Sequence, residues 1–265
     1  MIRDITIGQY YPADSILHRL DPRVKLSGTL IFIICLFLVK NLWGYLAAAL
    51  CLGAVIRLSK VPFRHIVKGL KAIIFLLLFT VLFNLFLTSG TPVFEWRFIR
   101  ITQEGLYLAF SMAVRLTLLI IGSSLMTFTT TPNQLTDGME SLLRPLNKIH
   151  VPVHEVAMMM SIALRFIPIL LEETDKIMKA QQARGADFET GNIIRRAKAM
   201  IPILVPLFIS AFRRAGDLAM AMEARCYRGG KGRTKMKPLR YGRRDAAAWL
   251  ILGVFAAVII VTRKV

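Results

Sequence analysis

His150 and His154 stand four residues apart with Glu155 beside them, which are the residue types of a zinc site. Pro152 falls between the two histidines and disrupts the shared helical face that a zinc pair needs, and the order is not HExxH. No metal site is expected there. Gly229-Gly230-Lys231-Gly232-Arg233-Thr234 has the residues of a phosphate-binding loop, yet no glycine precedes it at the GxxxxGK[ST] spacing and Gly232 stands where the helix should start. No bound nucleotide, and no cofactor, is expected on this chain. Neither a Ser/His/Asp spacing nor a pair of carboxylates offers an enzyme its catalytic groups. What remains is cationic and polar. Ala183-Arg184-Gly185 and Ala224-Arg225-Cys226 place two arginines 41 residues apart, each between small neighbours, while Arg115 and Asn84 interrupt otherwise apolar runs.

A guanidinium is a planar five-donor fork suited to carboxylates and carbonyls, and small neighbours let a helix end press close to another backbone. One such tripeptide is also what a solvated or dipole-favoured arginine near a helix C-terminus looks like. Two of them closing similar segments point to a partner with two equivalent sites. Arg115 is a functional-site candidate because ionisable groups inside a bilayer are costly; it can contact a substrate, or pair with a carbonyl or another helix for assembly.

The elements that must carry these residues are set by composition. Of 265 residues, 55% are hydrophobic, and the mean hydropathy is +0.55. These values mark a membrane protein, and its long apolar runs give it an all-α class. Apolar runs at about 26 to 39, 42 to 56, 72 to 88, 106 to 128 and 246 to 261 predict about five transmembrane helices, some short enough for Lys25, Lys40 and Arg57 to snorkel. Two further runs, 156 to 171 and 201 to 212, contain Arg165, Pro168, Pro202 and Pro206, and read as buried or interfacial helices. A segment of about 25 residues carrying many polar and charged side chains precedes the first run, so a signal peptide is not expected. Cys35, Cys51 and Cys226 form neither a disulfide framework nor a CxxC pair.

The formal charge is +19, from 35 Lys+Arg and 16 Asp+Glu. Arg3, Arg19, Arg23 and Lys25 precede the first run, and Arg57, Lys60, Arg64, Lys68 and Lys71 lie between the second and third. Arg97 and Arg100 between the third and fourth are balanced by Glu95 and Glu104. Five spans with a cytoplasmic N-terminus put the basic segments inside, except the Arg263-Lys264 tail. The charge is thereby explained without nucleic acid, and no aromatic-interleaved basic stretch accompanies it.

Three regions follow: 1–128 with the N-terminal tail and four transmembrane helices, 129–244 with cytoplasmic or interfacial coupling helices, and 245–265 with the last transmembrane helix. The middle region opens with an amphipathic helix capped by Thr131 or Asn133, with Leu135, Met139, Leu142 and Leu143 on one stripe, and Pro145 bends or ends it. Two arms follow, from Val153 to Gln182 and from Asn192 to Glu223, each apolar and then charged, each ending in an Ala-Arg-small tip. Nine of the 12 methionines lie between 139 and 236, which suits either a surface that repacks against alternative partners or ordinary core filling.

His18-Arg19-Leu20-Asp21-Pro22-Arg23 with Lys25, the two Ala-Arg-small tips and the late GRTKM segment together resemble the transmembrane T subunit of energy-coupling factor (ECF) transporters, a branch of the ATP-binding-cassette importers. The resemblance covers the whole chain. It implies a non-catalytic coupling subunit in the cell membrane, with two cytoplasmic ATPases, often non-identical, that bind ATP and Mg. It also implies an integral S component that captures a vitamin or metal ion, either dedicated or exchanged from a shared pool. Arg184 and Arg225 would dock on the ATPases. In the family the last residue of the second tip is often glycine; Cys226 departs from this, which puts a special backbone angle there in question. A self-contained secondary transporter or channel, with Asn84 and Arg115 lining a pathway, is the alternative.

Overall fold

The structure, a computed structural model, describes residues 10–71, 73–96, 99–188, 192–230, 236 and 238–264. Arg3, Arg97 and Lys231–Lys235, which include Gly232 and most of GRTKM, lie outside the described residues. The chain divides into two compact units, one of them formed by Thr6–Leu142 with Pro238–Val265 and the other containing Leu143–Lys237.

The first unit holds α1 (Pro22–Leu38), α2 (Leu42–Ser59), α3 (Phe63–Lys71), α4 (Ile74–Leu87), a hairpin of β1 (Pro92–Trp96) and β2 (Ile99–Thr102), α5 (Gln103–Thr129), α6 (Pro132–Leu143) and α9 (Arg243–Lys264). Local chemistry sets the helix starts. Asp21 caps α1 by accepting from Arg23 N at 2.9 Å, with Pro22 in the first turn. Thr102 caps α5 by accepting from Gly105 N at 3.1 Å. Thr131, rather than Asn133, caps α6: its hydroxyl accepts from Gln134 N at 3.3 Å while the Gln134 side chain accepts from Thr131 N at 3.2 Å, a reciprocal capping box. The core is built where α1, α2, α5 and α9 meet, around Leu36, Ala48, Leu125 and Ile259, with Phe32 stacked on Phe255 at 5.8 Å.

The structure adds detail to these expectations. Within the third apolar run α4 spans Ile74–Leu87, 14 residues, after α3 ends at Lys71; residue 72 lies outside the described residues. The antiparallel hairpin between α4 and α5 adds a small strand element to a helical fold. In α6 the buried residues are Thr136 and Gly138, the latter close to Leu26 and Pro22, whereas Leu142 and Leu143 on the expected stripe are exposed. Small residues are buried there because they allow close approach to α1. Pro145 stands in a short 3-10 helix, Arg144–Ile149, after α6 has ended.

The second unit holds that 3-10 helix, α7 (Val153–Ala183) and α8 (Ile193–Ala224). Pro168, Pro202 and Pro206 all lie inside helices. Among the described residues, five helices are long and apolar enough to cross a membrane: α2, α5, α7, α8 from Arg196, and α9. α1 and α4 are shorter, at 17 and 14 residues, and α7 and α8 reach their length by running through their prolines.

Candidate functional site

The two arginine tips have the same backbone. α7 ends at Ala183, Arg184 is its cap, and Gly185 adopts a left-handed φ of 87°. Gly185 N donates to Gln182 O at 2.9 Å and Ala186 N to Gln181 O at 3.0 Å, the paired bonds of a Schellman stop. At the end of α8 the pattern repeats residue for residue: Cys226 N donates to Glu223 O at 2.8 Å and Tyr227 N to Met222 O at 3.0 Å, with Cys226 at φ 55°. The left-handed angle questioned at Cys226 is therefore present at both tips. Ala183, Arg184 and Gly185 are exposed, as are Ala224, Arg225 and Cys226. Neither guanidinium makes an ion pair with another described residue. Each tip thus offers a free planar cation flanked by small residues, with its helix end already closed.

The arms that carry the tips are antiparallel. Arg214 Nη2 donates to Glu173 Oε2 at 2.9 Å, and eight residues further along α7 the Gln181 amide reaches Pro202 O, twelve residues back along α8, at 3.5 Å. Beyond the second tip, Gly230 lies against the His154 ring in the first turn of α7, so close that a Cβ would overlap the ring. Glu173 and Arg214 are 41 residues apart, the same offset as Arg184 and Arg225. Each arm therefore meets the other at its equivalent position, as residues on a local two-fold axis do. At ~1.5 Å per helical residue the eleven residues from contact to tip span roughly 16 Å on either side. The tips point to opposite ends of the pair.

The N-terminal signature does different work. His18 is bonded to the Ser15 hydroxyl at 2.7 Å and to Tyr11 O at 3.0 Å. Lys25, nearly buried, donates to Thr129 O at 2.8 Å and His18 O at 3.2 Å. Asp21 N donates to Asp245 Oδ1 at 2.9 Å, and the other Asp245 oxygen accepts from Gly242 N at 2.8 Å. Arg23 donates to Leu239 O at 2.9 Å and sits 4.9 Å above the Tyr241 ring. The signature is a polar node that ties the start of α1 to the end of α5 and the start of α9. Asp245, Thr129 and Leu239 complete it, and nothing in their local sequence announces the partnership. Arg19 is outside the node and pairs with Asp14 at 2.5 Å in an exposed bridge that holds the Asp14 carboxyl below its ordinary range.

The intramembrane candidates are bonded to backbone carbonyls nearby, although the buried Arg115 Nε has no partner among the described residues. Arg115 donates to Val39 O at 3.1 Å, at the C-terminal end of α1, and lies 6.0 Å and 5.8 Å from the Phe37 and Tyr45 ring centres. Tyr107 donates to Lys40 O at 2.7 Å, so α5 secures the α1–α2 turn twice. Asn84 bonds Thr80 O of its own helix at 2.8 Å. The structure does not bring Asn84 and Arg115 together by any hydrogen bond. His150 closes the 3-10 helix at φ 62° while His154 belongs to α7, so the two do not share a helix.

Comparison with known proteins matches residues 13–236 to the family model described as cobalt transport protein. The chain is 56% identical over 265 residues to the energy-coupling factor transporter transmembrane protein EcfT of Ruminiclostridium cellulolyticum, covering 100% of this chain and 99% of that one. It is 57% identical to the protein of that name from Clostridium kluyveri (99% and 98% covered) and 48% identical to that of Bacillus subtilis (99% and 100% covered).

Proposed function

Because this chain belongs to the energy-coupling factor transporter transmembrane protein family, and is thus a multi-pass membrane protein of transport, we propose that it couples ATP hydrolysis by two cytoplasmic ATPases to uptake through a membrane-embedded S component. The chain is non-catalytic, and ATP and Mg are held by the ATPases. The cargo is a vitamin or another micronutrient, captured by the S component, which is drawn from an exchanging pool. The N-terminus and the coupling region, 129–244, face the cytoplasm.

The observation that carries this reading is the pair of matched, exposed arginine tips. A dimer of ATPases offers two grooves, and a single coupling chain meets both only by presenting the same device twice. Ala183-Arg184-Gly185 enters one groove and Ala224-Arg225-Cys226 the other, each guanidinium pairing with carboxylates or backbone oxygens there. The antiparallel arms add a condition. If α7 and α8 crossed the bilayer upright, their tips would emerge on opposite faces; to meet one ATPase pair, the arms lie along the membrane surface. Their apolar residues then rest against lipid and the S component, with the methionines able to repack between alternative S components. The channel reading lacks support, since Arg115 and Asn84 are bonded to backbone carbonyls.

Loss of one partner of a desolvated charged contact costs ~2–5 kcal/mol. Arg184→Glu with Arg225→Glu is therefore expected to abolish co-purification of the ATPases and uptake in membranes. Sidedness provides the structural arm. Cys226 is exposed, and a Gly185→Cys, Cys226→Ser variant moves the thiol to the other tip. With the ATPases stripped, a membrane-impermeant maleimide should reach both tips from the cytoplasmic face of inside-out vesicles. Labelling from opposite faces, or normal uptake by the double glutamate variant, overturns the proposal.

A further inference from the structure

Between the apolar helices α2 and α4 the chain from Arg57 to Lys71 contains Arg57, Lys60, Arg64, Lys68 and Lys71 and no acidic residue. Its geometry is a corner. Ser59 Oγ donates to Ile56 O at 2.6 Å and accepts from Val61 N at 3.2 Å, Lys60 takes a left-handed φ of 56°, and Pro62 leads into α3. α2 stops there and α3 departs in a new direction.

α3 is the most sharply amphipathic helix among the described residues. Ile66, 1% exposed, fastens it to the core, and the His65 ring lies 5.3 Å from that of Tyr11. That is its protein-facing side. Phe63, Val67 and, on the last turn of α2, Leu58 remain exposed at 64%, 43% and 48%, alongside exposed Arg57, Lys60 and Arg64. A short helix with exposed apolar and cationic residues, covalently held between two apolar helices, stands at the boundary between hydrocarbon and water, and its charge is complementary to one occupant of that boundary.

We propose that α3 and the α2–α3 corner form an anionic-phospholipid binding surface: Phe63, Val67 and Leu58 enter the acyl boundary while Arg57, Lys60 and Arg64 engage lipid phosphates. This does not depend on the ATPase reading. The surface anchors the end of α2 to one leaflet by charge as well as by apolar contact.

The test uses the full-length chain in phosphatidylcholine vesicles containing either a photoactivatable phosphatidylglycerol or the matched phosphatidylcholine probe, with labelled peptides mapped by mass spectrometry. The phosphatidylglycerol probe is expected to label residues 57–67 in clear excess, and each of Arg57→Gln, Lys60→Gln and Arg64→Gln to lower that excess about fivefold. Phe63→Ser with Val67→Ser is expected to reduce labelling by both probes. Equal labelling by the two probes, an anionic preference that survives the triple Arg57→Gln, Lys60→Gln, Arg64→Gln variant, or a segment that neither probe labels overturns the assignment. All these side chains are exposed, so the variants do not depend on refolding the core.

Discussion

The left-handed residue at each tip gives a pair of opposite perturbations. Gly185 and Cys226 occupy equivalent Schellman positions, at φ 87° and 55°, but only the first is a glycine. A Cβ on Gly185 would meet nothing within 4 Å, so Gly185→Ala adds no clash and its cost is that of the backbone angle alone, about 1 kcal/mol. Cys226→Gly removes the same strain, and the extra freedom that glycine brings to the frayed end reduces the gain to somewhat under ~1 kcal/mol. Since ~1.4 kcal/mol is a factor of ten, each change should alter local opening by about fivefold or less. Hydrogen exchange at the capping amides reads this directly. Ala186 N–H should lose protection in Gly185→Ala, and Tyr227 N–H should gain it in Cys226→Gly, each without change at the other tip. Effects of the same sign at both tips, or none at either amide, would show that the shared stop does not hold these ends.

Removing the carboxylate in Asp245→Ala strands Asp21 N and Gly242 N, and should destabilise the chain by about 2–3 kcal/mol, visible as a lower melting temperature in detergent. Wild-type stability would refute the node. Arg115→Met should lower thermal stability yet leave the choice of transported substrate unchanged in the reconstituted transporter; an altered cargo would restore a pathway role. Asp14→Asn breaks an exposed bridge, and the small difference in melting temperature between wild type and variant should be constant between pH 5 and pH 8, because the wild-type Asp14 carboxyl is held below its ordinary range by Arg19 and stays ionised there. Gly230→Val should displace the segment after the second tip from the His154 ring and weaken ATPase co-purification without abolishing it.

The parts of this fold that were legible in the sequence were those with uninterrupted periodic chemistry. α2, α5 and α9 lie within a few residues of their apolar runs, and the ends of α7 and α8 coincide with the two small-residue tips. Lengths through proline were not legible: Pro168, Pro202 and Pro206 looked like interruptions, but a proline removes one donor and a long helix closes around it when its other bonds and its packing hold. The role of the signature was hidden for another reason. Asp21 and Asp245 are 224 residues apart, and no local pattern reports that one accepts from the backbone of the other. The short hairpin lay within a segment whose charges drew notice for their sign rather than their pairing.

The meeting of Glu173 with Arg214 places a near-symmetry at the centre of the arms, and the glycine–cysteine difference breaks it at the ends. Such an object resembles a plug with prongs of equal reach but unequal shape. A socket with two identical halves would accept it either way round; one made from two related but unlike chains could be keyed by a single side chain, so that assembly proceeds in one orientation.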